Sequence, residues 1–305
     1  MKKKYNLISN TPFDRVTGPL EYNLTNDYMF KATMQECKEA RIGLISALLG
    51  IDPMLIETEV TNPIELGKSI GSKDFYLDVK VIVNKAKVMN LEMQVRDLGD
   101  WDKRSLSYCC RSYDQLNSGD NYKDMLPFQQ VGFVDFDMFP DNNRFYDTFC
   151  MFSVESSQKY TDKFLLSVVN LKRIDEATTQ DKRYGLDKWC RFITASTWEE
   201  LREIAKEDPY MQITAEKIQL LFSDFDVREE ARRRKEYYNL VNSLKAEIAE
   251  NATALADKDA EIADKDAAIA DKDAAIADKD AALANKDSEI AELKRKLELF
   301  ENRSK

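Results

Sequence analysis

Between residues 76 and 95 the chain alternates apolar and polar positions in "YLDVKVIVNKAKVMNLEMQV". Leu77, Val79, Val81 and Val83 form one apolar series, and Met89, Leu91, Met93 and Val95 form another. A period of two marks half-buried strands, and the polar "NKAK" between the two series predicts a hairpin turn. Upstream, the apolar spacing lengthens to that of a helix. "NDYMFKATMQECKEARIGLISALLGIDPMLI" predicts one or two amphipathic helices, capped by Thr25 or Asn26 with Asp27 in the first turn. A strand over 58–66, interrupted by Pro63, leads into the hairpin. A helix over 101–116 follows it and closes at Asn-Ser-Gly. Strands are predicted at 128–136, 145–154 and 164–171, then helices at 187–206 and 211–222. Helix, three strands, helix, strand is the order of a three-layer α/β domain, a mixed central sheet flanked by helices.

The pattern changes again past Asp226, where glycine and proline disappear. A seven-residue repeat takes over, "ADKDAEI ADKDAAI ADKDAAI ADKDAAL ANKDSEI". One seam position holds Val241, Ile248, Leu255, Ile262, Ile269, Ile276, Leu283, Ile290 and Leu297. The position three residues on holds Leu244 and Asn251, then Lys258, Lys265, Lys272, Lys279 and Lys286, then Leu293 and Phe300. This is a heptad pattern with apolar ends and a lysine-interrupted middle, and it predicts a long C-terminal α-helical coiled coil. At 1.5 Å per residue the helix is roughly 90 Å long. The chain accordingly divides into a globular part, 1–225, and a tail, 226–305. Self-association is the expectation for the tail; a lone, partly frayed helix is the alternative, since one isoleucine per heptad is little buried surface.

The polar faces of the hairpin carry Asp78 and Lys80 on one strand, and Glu92, Gln94 and Arg96 on the other. Apolar faces match only when odd positions oppose odd ones, because a one-residue slip flips every side chain. Pairing Leu77 with Met93 sets Asp78 opposite Glu92; pairing it with Val95 sets Asp78 opposite Gln94 and diagonal to Glu92. Either register leaves the two acids about 5–8 Å apart. Like charges that close are destabilising unless a cation lies between them, so the pattern points to a metal site. Scattered acids on a wet strand face are the plainer alternative.

Composition narrows the chemistry. The chain has 305 residues, 43% hydrophobic and 10% aromatic, and no histidine. Ser-His-Asp and Cys-His catalysis, H-E-x-x-H proteases and histidine-based nucleases are excluded. What remains is carboxylates, lysine, or a hard oxygen-ligated cation such as magnesium. The five cysteines show no C-x-x-C spacing, which argues against a zinc site or a disulfide framework. The basic N-terminus lacks an apolar core segment and no stretch approaches 18 apolar residues, so a cytoplasmic protein without a membrane span is expected. Net charge is −10, which disfavours nonspecific DNA binding. Against it stands the basic run "REEARRRK" at 228–235, which reads either as a solvated helix face or as a phosphate contact.

Residues 20 to about 235 resemble the recombination-promoting nuclease/transposase family, a branch of the PD-(D/E)xK nuclease superfamily. The resemblance is carried by "NDYMFK", "DFYLDVKV", "NLEMQ" and "KRSLSYCCRSYDQLNSGDNYKDMLP", with "LDKWCRFI" and "REEARRRKEYY" later, in this order and spacing. It excludes the heptad tail. Asp78 matches the family's central aspartate, and Glu92 with Gln94 matches its E-x-Q. The resemblance implies that the two acids hold magnesium, with manganese as a substitute and the carbonyl of Met93 as a further ligand. Glutamine stands where the superfamily's motif has lysine; it can orient a water but brings no charge. The metal, Lys80, Arg96 or Arg104 would then stabilise the pentacovalent phosphate, with Arg104 and Gln115 facing the metal edge from the helix. Asp27 falls where some relatives place an additional helical acid, and a plain helix-start role is equally open. The implied activity is a Mg²⁺-dependent DNA endonuclease that promotes recombination, in mobile-element or phage-defence settings, self-associating through its coiled coil. A catalytically idle, oligomeric DNA-binding or interaction protein of the same fold is the alternative.

Overall fold

Two strands of the alternating stretch, within 79–94, belong to a six-stranded sheet. The computed structural model describes residues 11–62, 78–97, 99–113, 121–139 and 141–303. Strands β2 (Val79–Val83) and β3 (Lys87–Gln94) form an antiparallel hairpin. Its turn passes through Asn84 and Lys85, each at φ 52°, the left-handed pair that a tight hairpin requires and that asparagine tolerates. With β1 (Thr58–Val60), β4 (Phe128–Val134), β5 (Tyr146–Phe152) and β6 (Lys159–Asn170), the order is β1-β2-β3-β4-β6-β5. The inner pairs β3–β4 and β4–β6 are parallel and the outer pairs antiparallel. Every residue of β4 is buried, as befits a parallel strand covered on both faces.

Val79 pairs with Leu91 and Val81 with Met89, which selects the first of the two registers left open by the sequence. One sheet face then carries Val79, Val81, Met89, Leu91, Met93, Val131 and Phe133, all buried in one core. It packs on α1 (Asp27–Glu36) and α2 (Lys38–Leu49), with the Phe30 and Phe133 rings 5.6 Å apart. Behind them α5 (Leu186–Thr194), α6 (Trp198–Ala205) and α7 (Pro209–Ser223) add Trp189, Phe192 and Trp198 to the same core. The opposite face is covered by α3 (Trp101–Tyr113), whose Trp101, Ser105 and Cys109 recur at one-turn spacing and are buried. The three-layer plan is therefore present, around a mixed sheet.

Several boundaries differ from the pattern-based expectation. The first helical stretch breaks at Cys37, whose N–H still bonds Thr33 while its Sγ accepts from the Ala40 amide at 3.4 Å. The helix expected at 187–206 is two, because the Ser196 carbonyl accepts from Leu20 at 2.8 Å and Thr197 caps α6 through the Glu200 amide. A short α4 (Thr179–Arg183), opened by a capping box between Thr178 and Asp181, was not expected. β1 spans Thr58–Val60, and the later part of the 58–66 stretch, like Leu77, lies outside the described residues.

The tail is one continuous helix, α8 (Phe225–Arg303). The chain falls into two compact units, Met1–Tyr237 and Tyr238–Lys305. The opening turns of α8 belong to the first unit, with Val227, Arg228, Ala231 and Arg234 buried.

Candidate active site

Glu92 sits on the α3 face of β3 with Asn90 and Gln94, because Met89, Leu91 and Met93 take the opposite face. All three polar residues are buried, and buried polar groups need partners. Glu92 Oε1 accepts from Arg104 Nη2 at 2.8 Å and Oε2 from Gln130 Nε2 at 3.0 Å. Gln130 is itself held by Asn90 Nδ2 at 2.9 Å. Arg104 Nη1 donates to Gln94 Oε1 at 2.9 Å, and Gln94 Nε2 donates to the Arg96 carbonyl at 2.6 Å. Gly132, paired with Glu92 across β3–β4, makes this approach of α3 feasible. A Cβ there would stand 2.2 Å from Trp101 Cζ2. The bare strand lets Trp101 lie on the sheet, and Arg104, nearly one turn on, reaches the carboxylate.

Continuing the hairpin register one residue past Val79 and Leu91 sets Asp78 across from Glu92. Asp78 Oδ1 is buried and has no hydrogen-bond partner among the described residues. The Asp78 backbone, by contrast, is clamped. Its carbonyl accepts from Lys31 Nζ and from Asn62 Nδ2, the latter at 3.1 Å. Lys31 also donates to the Asn62 carbonyl at 2.8 Å, and Asn62 Oδ1 accepts from the Lys80 amide at 2.7 Å. Lys31 is fully buried. Burial lowers its ammonium pKa to about 8, against the attraction of Asp78.

Glu92 moves the other way, to about 7. Burial is the main cause; Arg104 opposes it, while Asp78 and, less strongly, Asp27 repel the charge. A carboxylate that touches a guanidinium yet keeps its proton to near neutrality is held so mainly by its burial, which that one cation does not offset. Asp27 itself is buried at the start of α1, with both carboxylate oxygens facing Arg234 Nε at 3.0 and 3.1 Å.

The structure thus gathers Asp27, Asp78, Glu92, Gln94 and Arg104. Lys80 is half-buried opposite Asn90, on the strand face of Asp78. Arg96 contributes its carbonyl, and the Met93 side chain belongs to the opposite core. Gln115 lies outside the described residues. Gln94, expected to orient a water, has its amide engaged at both ends by protein. The basic run is likewise spent internally. Arg228 donates to the Phe222 carbonyl, Arg232 pairs with Glu229 and Glu236, Arg233 with Glu230, and Arg234 with Asp27. Pattern reading missed Lys31, Asn62, Asn90 and Gln130. A signal existed for Gln130, since two glutamines within "PFQQVGFV" are out of place in a buried strand unless they have partners.

Among the described residues no three Asp, Glu or Cys side chains converge as a ready-made metal cage. The available donors are two carboxylates and neutral oxygens, with Asp78 Oδ1 uncommitted. That set suits a hard cation that keeps several of its waters, as magnesium does. Cys109, on the α3 side, is held as a thiol, its pKa pushed up to about 12 chiefly by burial.

A mixed α/β sheet flanked by helices, with Asp78 at the entry to β2 across from Glu92 of β3, is consistent with the PD-(D/E)xK fold. The chain belongs to the PD-(D/E)XK nuclease family transposases, whose family model matches residues 24–247. No curated protein and no solved structure matches it. Among the described residues no helix is long and apolar enough to cross a membrane.

Proposed function

We propose that this protein is a Mg²⁺-dependent endonuclease that hydrolyses phosphodiester bonds in DNA, manganese serving as a substitute. The observation that carries this reading is the pairing of Asp78, with its uncommitted buried oxygen, and Glu92, whose ionisation the site resists. Asp78, Glu92 and the Met93 carbonyl would hold the cation. When bound, it supplies charge neutralisation at the phosphate and a more acidic water. The chain's own residues do the rest. Lys31 and Asn62 fix the Asp78 backbone, Gln130 orients Glu92, and Gln94 steers Arg104. Arg104 offers a planar fork suited to phosphate oxygens, replacing the charge that glutamine at position 94 does not bring. Self-association through α8, recombination as the biological outcome and a cytoplasmic setting complete the reading.

A plasmid-nicking assay tests it. The purified chain should relax supercoiled DNA with Mg²⁺ and not with chelator, and Asp78→Ala should abolish the activity while leaving the melting temperature near wild type. Cleavage by Asp78→Ala at the wild-type rate would end the assignment. A second reading, an idle DNA-binding protein of the same fold, draws on one observation: Glu92 and Gln94 already have protein partners at every polar atom. Mg²⁺-independent DNA binding without cleavage would favour it.

A further inference from the structure

Beyond Tyr237 the apolar stripe of α8 stays uncovered: Ile262, Ile269 and Ile276 are 56%, 55% and 55% exposed. Two charged rows flank that stripe. Lys272 and Lys279 lie three residues after an isoleucine, and Asp273 and Asp280 lie four after it. In a helix, side chains meet at spacings of three and four. At those spacings Lys272 meets Ala268, Ile269, Ala275 and Ile276, and Asp273 meets Ile269, Ala270, Ile276 and Ala277. At those spacings Lys272, Lys279, Asp273 and Asp280 therefore meet no opposite charge within their own helix. Lys265 is different, because Glu261 stands four residues before it and pairs with it at 2.5 Å. The flanking charges of the repeat are complementary to each other, on a surface that carries both.

We propose that this face binds a second copy of the same chain, as a parallel, in-register, two-stranded coiled coil. This rests on the self-association reading and adds orientation, register and strand number to it. In a parallel pair each seam position meets its own counterpart. Isoleucine then packs on isoleucine, and each lysine at the other seam position adjoins the aspartate that follows its counterpart. In an antiparallel pair the two seam positions face each other instead, so every central isoleucine would meet a lysine. Sliding by whole heptads does not remove that mismatch. Strand number follows from the lysines, which can run their stems along a two-stranded seam with the ammonium in water; a third strand would enclose them. Register follows from the non-repeating ends. A one-heptad slip would set Leu244 against Asn251 and Lys286 against Leu293.

The test uses the full-length chain with Cys110→Ser and Cys150→Ser, since Cys110 is exposed and Cys150 half-buried while the other cysteines are buried. Ile262→Cys and Ile290→Cys are introduced separately; the two sites lie about 40 Å apart along the helix. Under mild oxidation both variants should form a disulfide-linked dimer, at least tenfold faster than a control, Ala267→Cys, on the opposite side of the helix. Sedimentation equilibrium should give twice the chain mass. Cross-linking at one site and not the other would overturn the parallel register, and equal linking by Ala267→Cys would overturn the seam. A mass of three or more chains would overturn the strand number. A monomer that still nicks DNA would remove self-association alone and leave the nuclease reading standing.

Discussion

At the scale of single residues, the site rests on an electrostatic imbalance. Asp78 and, less strongly, Asp27 repel a charge on the buried Glu92, while Arg234 is committed to Asp27 and Arg104 to Glu92 and Gln94. Because the folded protein raises the Glu92 pKa from 4.5 to about 7, it binds that proton more tightly than the unfolded chain does. The resulting contribution to stability is full below pH 4.5 and is lost as pH rises to about 7. Glu92→Gln cannot ionise and keeps the shape. In chelator it should therefore lack that fall and melt above the wild type at pH 8, while Mg²⁺ should raise the wild-type melting temperature and leave the variant unmoved. Thermal melts across pH, with and without Mg²⁺, decide this; a variant that melts lower than wild type at pH 8 would show that ionised Glu92 is already compensated. Of these residues, Asp78, Glu92 and Gln94 were legible because a period of two and a hairpin register place them without tertiary knowledge. Lys31 and Gln130 were not, since each reaches the site by packing of one element on another.

At the scale of elements, period identified each long strand and most helices, but not where helices stop. Apolar spacing runs straight through Cys37 and through 195–197, and the breaks there depend on caps and on the distant Leu20 amide. The placement of α3 over the sheet is similarly invisible in its own residues, because it depends on the absence of a side chain at Gly132. Gly132→Ala would force its Cβ against Trp101, a backbone-anchored clash with a large ring, and overpacking of this kind costs about 1–3 kcal/mol. The expected result is a lower melting temperature together with a loss of nicking larger than the stability change explains, as α3 lifts and Arg104 withdraws from Glu92. Adding Trp101→Leu should recover part of both. A Gly132→Ala protein with wild-type activity would show that Arg104 reaches the carboxylate without this close approach.

At the scale of the whole molecule, the basic run shows why charge alone misleads. Read along the chain, 228–235 offers a phosphate-binding patch. In the fold, Arg234 neutralises Asp27 across 207 positions of sequence, and its neighbours pair within the helix. The start of α8 is thus part of the first unit, whereas 238–305 form the second. Two truncations should separate these roles. Ending the chain after Tyr237 keeps the Asp27 pair, and the product should fold, respond to Mg²⁺ and sediment as a monomer. Such a monomer, with one active site, should nick supercoiled plasmid but linearise it far more slowly than the full chain. Ending after Asp224 removes Arg234 and leaves a buried carboxylate uncompensated, a loss of about 3–5 kcal/mol, so that product should be largely unfolded. Arg234→Ala in the full chain should reproduce the instability, and Asp27→Asn in the same chain should relieve it by removing the stranded charge. Denaturant melts of the four proteins measure this directly, and a stable, metal-responsive chain ending at Asp224 would place the first turns of α8 outside the nuclease fold.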